Sequence, residues 1–173
     1  MTGFETWTEE QRRIASDAEA WVRAKLEHES SGHDWRHIER VVSTARTIAK
    51  AEGADSFVCE LAALLHDMAD EKLNDDPFAA EQELVRWLAE CGISEQEADH
   101  VMEIIAMLSF KGGSRPPMLT IEGQVVQDAD RLDAIGAVGI SRVFAYSGAK
   151  GRPIHDPSVL PRSSMTEEEY RNG

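Results

Sequence analysis

The segment ELAALLHDMADE, Glu60 to Glu71, leaves this chain the least choice of fold. Five of its first six residues are apolar, so it reads as a helix destined for an interior. His66 and Asp67 then stand side by side, with Asp70 one turn later. An imidazole and a carboxylate are costly inside a protein unless something partners them. The rest of the chain must therefore do two things: wrap this helix with others, and bring partners to its polar end.

Helical periodicity dominates the remaining sequence, and strands are hard to find. Thr8 reads as the cap of a first helix that carries Ile14, Ala18, Trp21, Val22 and Leu26. SSGHD interrupts the pattern, and Asp34 caps a second helix that ends before Gly53. Asp55 or Ser56 opens the third, through ELAALLHD. LNDDP is a turn, and Pro77 fits the first position of a fourth helix running to about Glu90. Ser94 and Glu97 form a capping-box pattern for a fifth helix reaching about Leu108. FKGGSRPP is a loop; Thr120 to about Tyr146 is helical again, with a break near Gly136 or Gly139. Past Ser147 the text is rich in Gly, Pro and Ser. The expected fold is all-α, a single bundle of six or seven helices. Its parts are an N-terminal helix and connection over 1–32, a core over 33–147 and a loop-rich segment over 148–173.

Composition narrows the function classes. A chain of 173 residues with 42% hydrophobic and 29% charged residues is long enough for one globular domain with a single core. The 18 Lys and Arg against 32 Asp and Glu give a net charge of -14, which argues against a nucleic-acid polymer or an anionic membrane as partner. A small anionic substrate stays open, because a bound cation can invert the local field. Cys59 and Cys91 form no CxxC motif and read as small buried hydrophobes. Neither a membrane span nor a secretory signal is visible, so a cytoplasmic protein is expected.

Three polar features, four residues in all, fall on separate stretches of apolar helix. They are His37, the pair His66 and Asp67, and Asp130 within VVQDADRLDAIG. Two imidazole nitrogens and two carboxylate oxygens make a mixed donor set suited to a divalent ion. For an octahedral ion such a set leaves positions for water and substrate, as a catalytic site requires. Each feature also has a duller reading: a core histidine, a helix-end histidine beside a solvated acid, a charged helix face. Composition and spacing reach a candidate metal site and stop there.

The wording of three segments goes further. GHDWRHIERV, ALLHDMADEKL and QDADRLDAIGAVGISR, in this order, resemble the HD-domain superfamily of metal-dependent phosphohydrolases. Within it they are most similar to a bacterial branch related to nucleotide pyrophosphohydrolases. The resemblance covers roughly residues 34–157 and implies an all-α fold with metal ligands at His37, His66, Asp67 and Asp130. Dinuclear members add histidines between the doublet and the distal Asp, whereas His100 is the only one in that interval here. One divalent ion is therefore expected, Mn²⁺ first, with Fe²⁺, Co²⁺, Ni²⁺, Zn²⁺ or Mg²⁺ as alternatives. Similar proteins continue into more helix, while this sequence stops at EEEYRNG. A C-terminal helical segment or an oligomer contact, such as that of a homodimer, is expected to be missing.

Further roles follow from position. Asp70 falls four residues past His66 and can share a helix face with the doublet; it is the candidate to orient or deprotonate the attacking water. Lys72 and Arg131, each beside a ligand segment, are candidates for substrate phosphate, with Lys111 on the glycine-rich loop and His33 one turn before His37. Asp133, one turn past Asp130, could support a ligand from outside. The expected activity is hydrolysis of (deoxy)nucleoside triphosphates to monophosphate and pyrophosphate by a water activated at the ion. A phosphodiesterase acting on a cyclic or other phosphodiester, and a metal- and nucleotide-binding sensor without turnover, are the alternatives.

Overall fold

The computed structural model describes residues 7–29, 33–71, 73–108 and 117–160. Its elements are α1 (Glu9–Leu26), α2 (Trp35–Glu52), α3 (Ser56–Leu65), α4 (Pro77–Cys91), α5 (Glu95–Leu108), α6 (Ile121–Asp133) and α7 (Gly136–Ala149). The all-α expectation holds, with seven helices and no strand among the described residues.

Local chemistry places most of the ends. The Thr8 side chain accepts from Gln11 N–H while the Gln11 side chain accepts from Thr8 N–H, a closed capping box at α1. Asp34 caps α2 by accepting from His37 N–H, and Gly53 ends that helix at φ 71°, a left-handed turn that costs glycine nothing. Asp55 accepts from Phe57 and Val58 at the start of α3. Pro77 opens α4, and Ser94 and Glu97 cap α5 reciprocally.

α3 is the axis of the molecule. Every residue from Phe57 to Leu65 is buried, and α1, α2, α5 and α6 all pack on it. Its apolar side chains join Ile14, Val22, Ile38, Val41, Leu84, Ile104 and Val126 in one core. Nothing in the periodicity marked Glu60, yet it lies on this helix at 5% exposure. Arg46 of α2 reaches it with a bidentate guanidinium, Nη2 to Oε1 at 2.5 Å and Nε to Oε2. A buried acid needs such a partner, because an unpaired charge would be left without solvation. Cys59 and Cys91 are free and buried, and burial pushes the Cys59 thiol up to about 12, an unreactive thiol. No helix among the described residues is long and apolar enough to cross a membrane.

One sequence expectation needs correction. α3 stops at Leu65, with His66 as its C-cap, so Asp70 does not share a helix face with the doublet. Successive i to i−3 hydrogen bonds, Met68 N–H to Leu65 O and Asp70 N–H to Asp67 O, coil the chain more tightly there. The helical stretch from Thr120 onward breaks near Gly136, as its glycines suggested, into two helices that meet at Ala134 and Ile135. Gly136 takes φ 65° at the elbow, and Gly139 is the one residue of α7 that is buried. A Cβ on Gly139 would stand 2.2 Å from the Ala134 carbonyl oxygen, so α7 can approach the end of α6 only with glycine there.

That contact predicts opposite outcomes for two glycines of one helix. Gly139→Ala forces backbone apart at the elbow and should cost about 1–3 kcal/mol, as overpacking does. Gly148→Ala meets nothing within 4 Å and should be neutral or raise stability by about 0.5–1 kcal/mol through helix propensity. Thermal melts of the two variants check this; equal behaviour would show that the elbow is not packed this way.

Candidate metal centre

The site lies where two helices end and a third begins. His37 stands in the first turn of α2, fixed by the cap bond from its N–H to Asp34 Oδ1 at 2.9 Å. His66 and Asp67 follow the last turn of α3, and Asp130 and Asp133 occupy the last turn of α6. α2 packs broadly against both α3 and α6, which brings these three chain segments to one point. The C-terminal ends of α3 and α6 carry partial negative charge, which favours a cation between them; the N-terminus of α2 opposes them.

Hydrogen bonds at the back of each ring orient the imidazoles. His37 Nδ1 lies 2.8 Å from Asp133 Oδ2 and donates to it. His66 Nδ1 donates to the Ala63 carbonyl at 2.8 Å. With both protons on Nδ1, both Nε2 atoms carry lone pairs, and these face each other at 3.3 Å. Carboxylate oxygens close the group. His37 Nε2 is 3.5 Å from Asp67 Oδ2 and 3.4 Å from Asp130 Oδ1. His66 Nε2 is 3.3 Å from Asp67 Oδ1 and 3.8 Å from Asp130 Oδ1. Ligands about 2.1 Å from a divalent ion sit roughly 3.0–3.5 Å from one another, so the spacing is that of a coordination shell. His37, His66 and Asp130 form one group of atoms able to hold a metal ion, and His33, His37 and Asp67 form another. The two groups share His37.

The electrostatics of the cluster favour a cation. Burial disfavours a charged His66, but Asp67 and Asp130 outweigh it and raise its pKa. Burial lowers that of His37 despite its bond to Asp133. Burial alone would raise Asp67, yet the His66, His33 and His37 rings around it hold it well below the usual carboxylate range. The cluster is closed on the histidine side and opens at Asp130, whose side chain is 32% exposed against 1% for His37.

The outer partner of His37 is better built than the sequence suggested. Asp133 Oδ1 accepts from Arg40 Nε at 2.6 Å; its Oδ2 accepts from Arg40 Nη2 at 3.0 Å and from Arg142 at 3.3 Å. Burial would raise this carboxyl, but the bonds from His37 and Arg40 hold it well below its ordinary range. Arg40 and Arg142 went unnoticed in the sequence, although Arg40 stands one turn past His37. The other sequence candidates are scattered. His33 Nδ1 lies 3.1 Å from Asp67 Oδ2. Asp70 is half-buried beyond the doublet and close enough for its charge to favour protonated His66. Arg131 is exposed on α6, next to Asp130. His100, the one histidine between doublet and distal Asp, turns to the Thr120 hydroxyl at 3.1 Å. Lys72 and Lys111 lie outside the described residues.

Known proteins share both sequence and architecture. YpgQ of Bacillus subtilis is 46% identical over 143 residues, which span 82% of this chain and 70% of that one. The crystal structure of YpgQ in complex with ADP superposes with a TM-score of 0.72 at 44% identity, covering 85% of this chain and 72% of that one. A crystal structure of a Lactobacillus plantarum protein reaches a TM-score of 0.84 at 41% identity, over 96% and 76% of the two chains. An HD-superfamily hydrolase from Bacillus thuringiensis gives 0.68 at 42% identity, over 94% and 78%. The HD domain pattern itself matches residues 34–135, from the cap of α2 to the elbow after α6, so it takes in all four converging side chains. The chain belongs to the HD domain family.

Proposed function

We propose that this protein is a cytosolic, metal-dependent phosphohydrolase that converts (deoxy)nucleoside triphosphates to monophosphate and pyrophosphate. The observation that carries the reading is the approach of the His37 and His66 Nε2 atoms to each other and to carboxylate oxygens of Asp67 and Asp130. One divalent cation satisfies all four, and Mn²⁺ fits their mixed nitrogen and oxygen character. When bound, such an ion lowers the pKa of water and neutralises charge on phosphate oxygens. HD domains hold divalent metals, and the ADP in the YpgQ crystal supports a nucleotide as the molecule that enters.

The chain's own groups then have distinct tasks. His37 and His66 fill the closed side, while the exposed edge of Asp130 leaves room for a phosphate oxygen to approach. Asp70, set beside the doublet by the turn after α3, accepts a proton from the attacking water at its carboxylate. The water oxygen bonds to the α-phosphorus, and the bridging oxygen leaves with pyrophosphate. Arg131, exposed next to Asp130, is our candidate for the phosphate chain, with His33, Lys72 and Lys111 as further candidates for the same role.

Three measurements test this reading. Chelation should abolish release of pyrophosphate from a nucleoside triphosphate panel, and Mn²⁺ should restore it far better than Ca²⁺, which prefers all-oxygen shells; release of single phosphates instead would refute attack at the α-phosphorus. Asp70→Asn should keep Mn²⁺ bound while turnover falls roughly 10²-fold or more; unchanged turnover would remove Asp70 from the chemistry. Asp133→Asn weakens the hold on the His37 ring and should lower Mn²⁺ affinity by about 10- to 100-fold, measured as free Mn²⁺ by electron paramagnetic resonance. Wild-type affinity in that variant would mean that His37 does not rely on Asp133.

A further inference from the structure

We propose that Asn74 is the positioning residue for Asp70, an assignment that rests on the proton-accepting role given to Asp70 and adds the group that aims it. Asp70 lies past the end of α3, so no helix continues through it. The turn that follows the doublet sets where its carboxylate points. That turn is wound by i to i−3 bonds: Met68 N–H to Leu65 O at 3.0 Å, Asp70 N–H to Asp67 O at 3.1 Å and Leu73 N–H to Asp70 O at 3.1 Å. Bonds of this kind have poorer geometry than those of an α-helix and are seldom sustained for long.

Asn74 reinforces them from outside the backbone. Its Nδ2 donates to the Met68 carbonyl at 3.1 Å and to the Asp70 carbonyl at 2.9 Å. A side-chain amide nitrogen has two hydrogens, and here each has its own carbonyl. The Asp70 carbonyl accepts twice, from Leu73 N–H and from Asn74, which uses both of its lone pairs. One side chain thus clamps the chain on both sides of Ala69 and fixes the path by which Asp70 leaves the doublet.

The clamp is anchored at both ends. Met68 is buried in the core, and Leu73 packs against the same core. Asn74 stands two residues before Asp76, the cap of α4, which accepts from Ala79 N–H at 3.0 Å. α4 in turn buries Leu84, Leu88 and Cys91 and packs on α5. Asp67 has separate support, since it directly follows the C-cap of α3 and its Oδ2 meets His33 Nδ1 at 3.1 Å. The clamp therefore acts on Asp70 and leaves the converging cluster alone. Precision matters there, because a displacement of about 1 Å in a group that meets the attacking water can cost about 10²-fold in rate.

The test compares wild type with Asn74→Ala, which removes the amide, and Asn74→Leu, which keeps its branched shape without a donor. Pyrophosphate release from nucleoside triphosphate is followed at saturating Mn²⁺, and Mn²⁺ affinity is measured separately by electron paramagnetic resonance. The expected result is kcat lowered roughly 10- to 100-fold in both variants, with KM and Mn²⁺ affinity within about twofold of wild type. Each variant is then combined with Asp70→Asn. A residue that acts through Asp70 should add less than about twofold once that carboxylate is gone, because members of one network are not additive. Losses that multiply overturn the proposal, as does wild-type kcat in the Asn74 variants. So does a parallel loss of Mn²⁺ affinity, which would make Asn74 a support of the doublet or of the whole fold. Wild-type turnover in Asp70→Asn alone would remove the role of Asp70 on which the proposal rests, and a wild-type protein that releases no pyrophosphate would sink the phosphohydrolase reading itself.

Discussion

Two imidazole lone pairs pointing at each other across 3.3 Å, with carboxylates on either flank, repel unless a positive charge lies between them. Neither ring can rotate to escape, because Asp133 and the Ala63 carbonyl hold their Nδ1 protons. The repulsion is therefore stored by the fold. Asp67 and Asp130 raise the pKa of His66 against its burial, the same pull that would favour a metal ion beside it. An ion that binds the folded state alone stabilises it by mass action, about 2.7 kcal/mol at 100-fold excess over the dissociation constant. Site and stability are thus one question in this protein.

The helical architecture follows from the need to enforce that geometry. α3 is buried along its length, so its end is fixed in position by α1, α2, α5 and α6. Polar groups placed just past such a helix inherit its rigidity without interrupting its apolar surface. Glu60 is the exception within the helix, and Arg46 neutralises it from α2. The same α2 supplies His37 and Arg40 to the site. Two ion pairs on one helix, one with α3 and one with α6, tie together the three segments that carry the converging atoms.

Much of the fold could be read from local rules. Thr8, Asp34, Asp55 and Ser94 mark helix starts by bonds within four residues and Pro77 by its fixed φ, and the structure places all five where those rules do. Where tertiary contact decides, the sequence was silent or misleading. The tight turn after Leu65 arises as the chain leaves a packed helix, so the helix-face argument for Asp70 failed. Two glycines competed for the break after α6, and only the approach of Gly139 to Ala134 shows how they divide the work. Arg40 and Asp133 are 93 residues apart in sequence; no periodicity joins such a pair. The four converging residues were singled out as polar groups in apolar helices, but it was the resemblance of three segments to a family that put them together.

The number of ions the cluster can hold follows from its lone pairs. His37 belongs to both groups of candidate ligands, yet its Nδ1 is committed to Asp133 and it has one Nε2 to give. Once that atom joins His66, Asp67 and Asp130, the second group is reduced to His33 and an Asp67 oxygen. Those two already meet at 3.1 Å as donor and acceptor. His100, the remaining histidine of the interval, is engaged with Thr120 on another face of the bundle. Two ligands in contact with each other make a poor site for a divalent ion beside an occupied one, whose like charge would repel it. His33 is more useful as a donor to Asp67, since a carboxylate held from outside presents its ligating oxygen in a fixed direction. Asp133 does the same for His37. The two outer contacts flank a single centre, and the ligand arithmetic supports the one ion proposed for it.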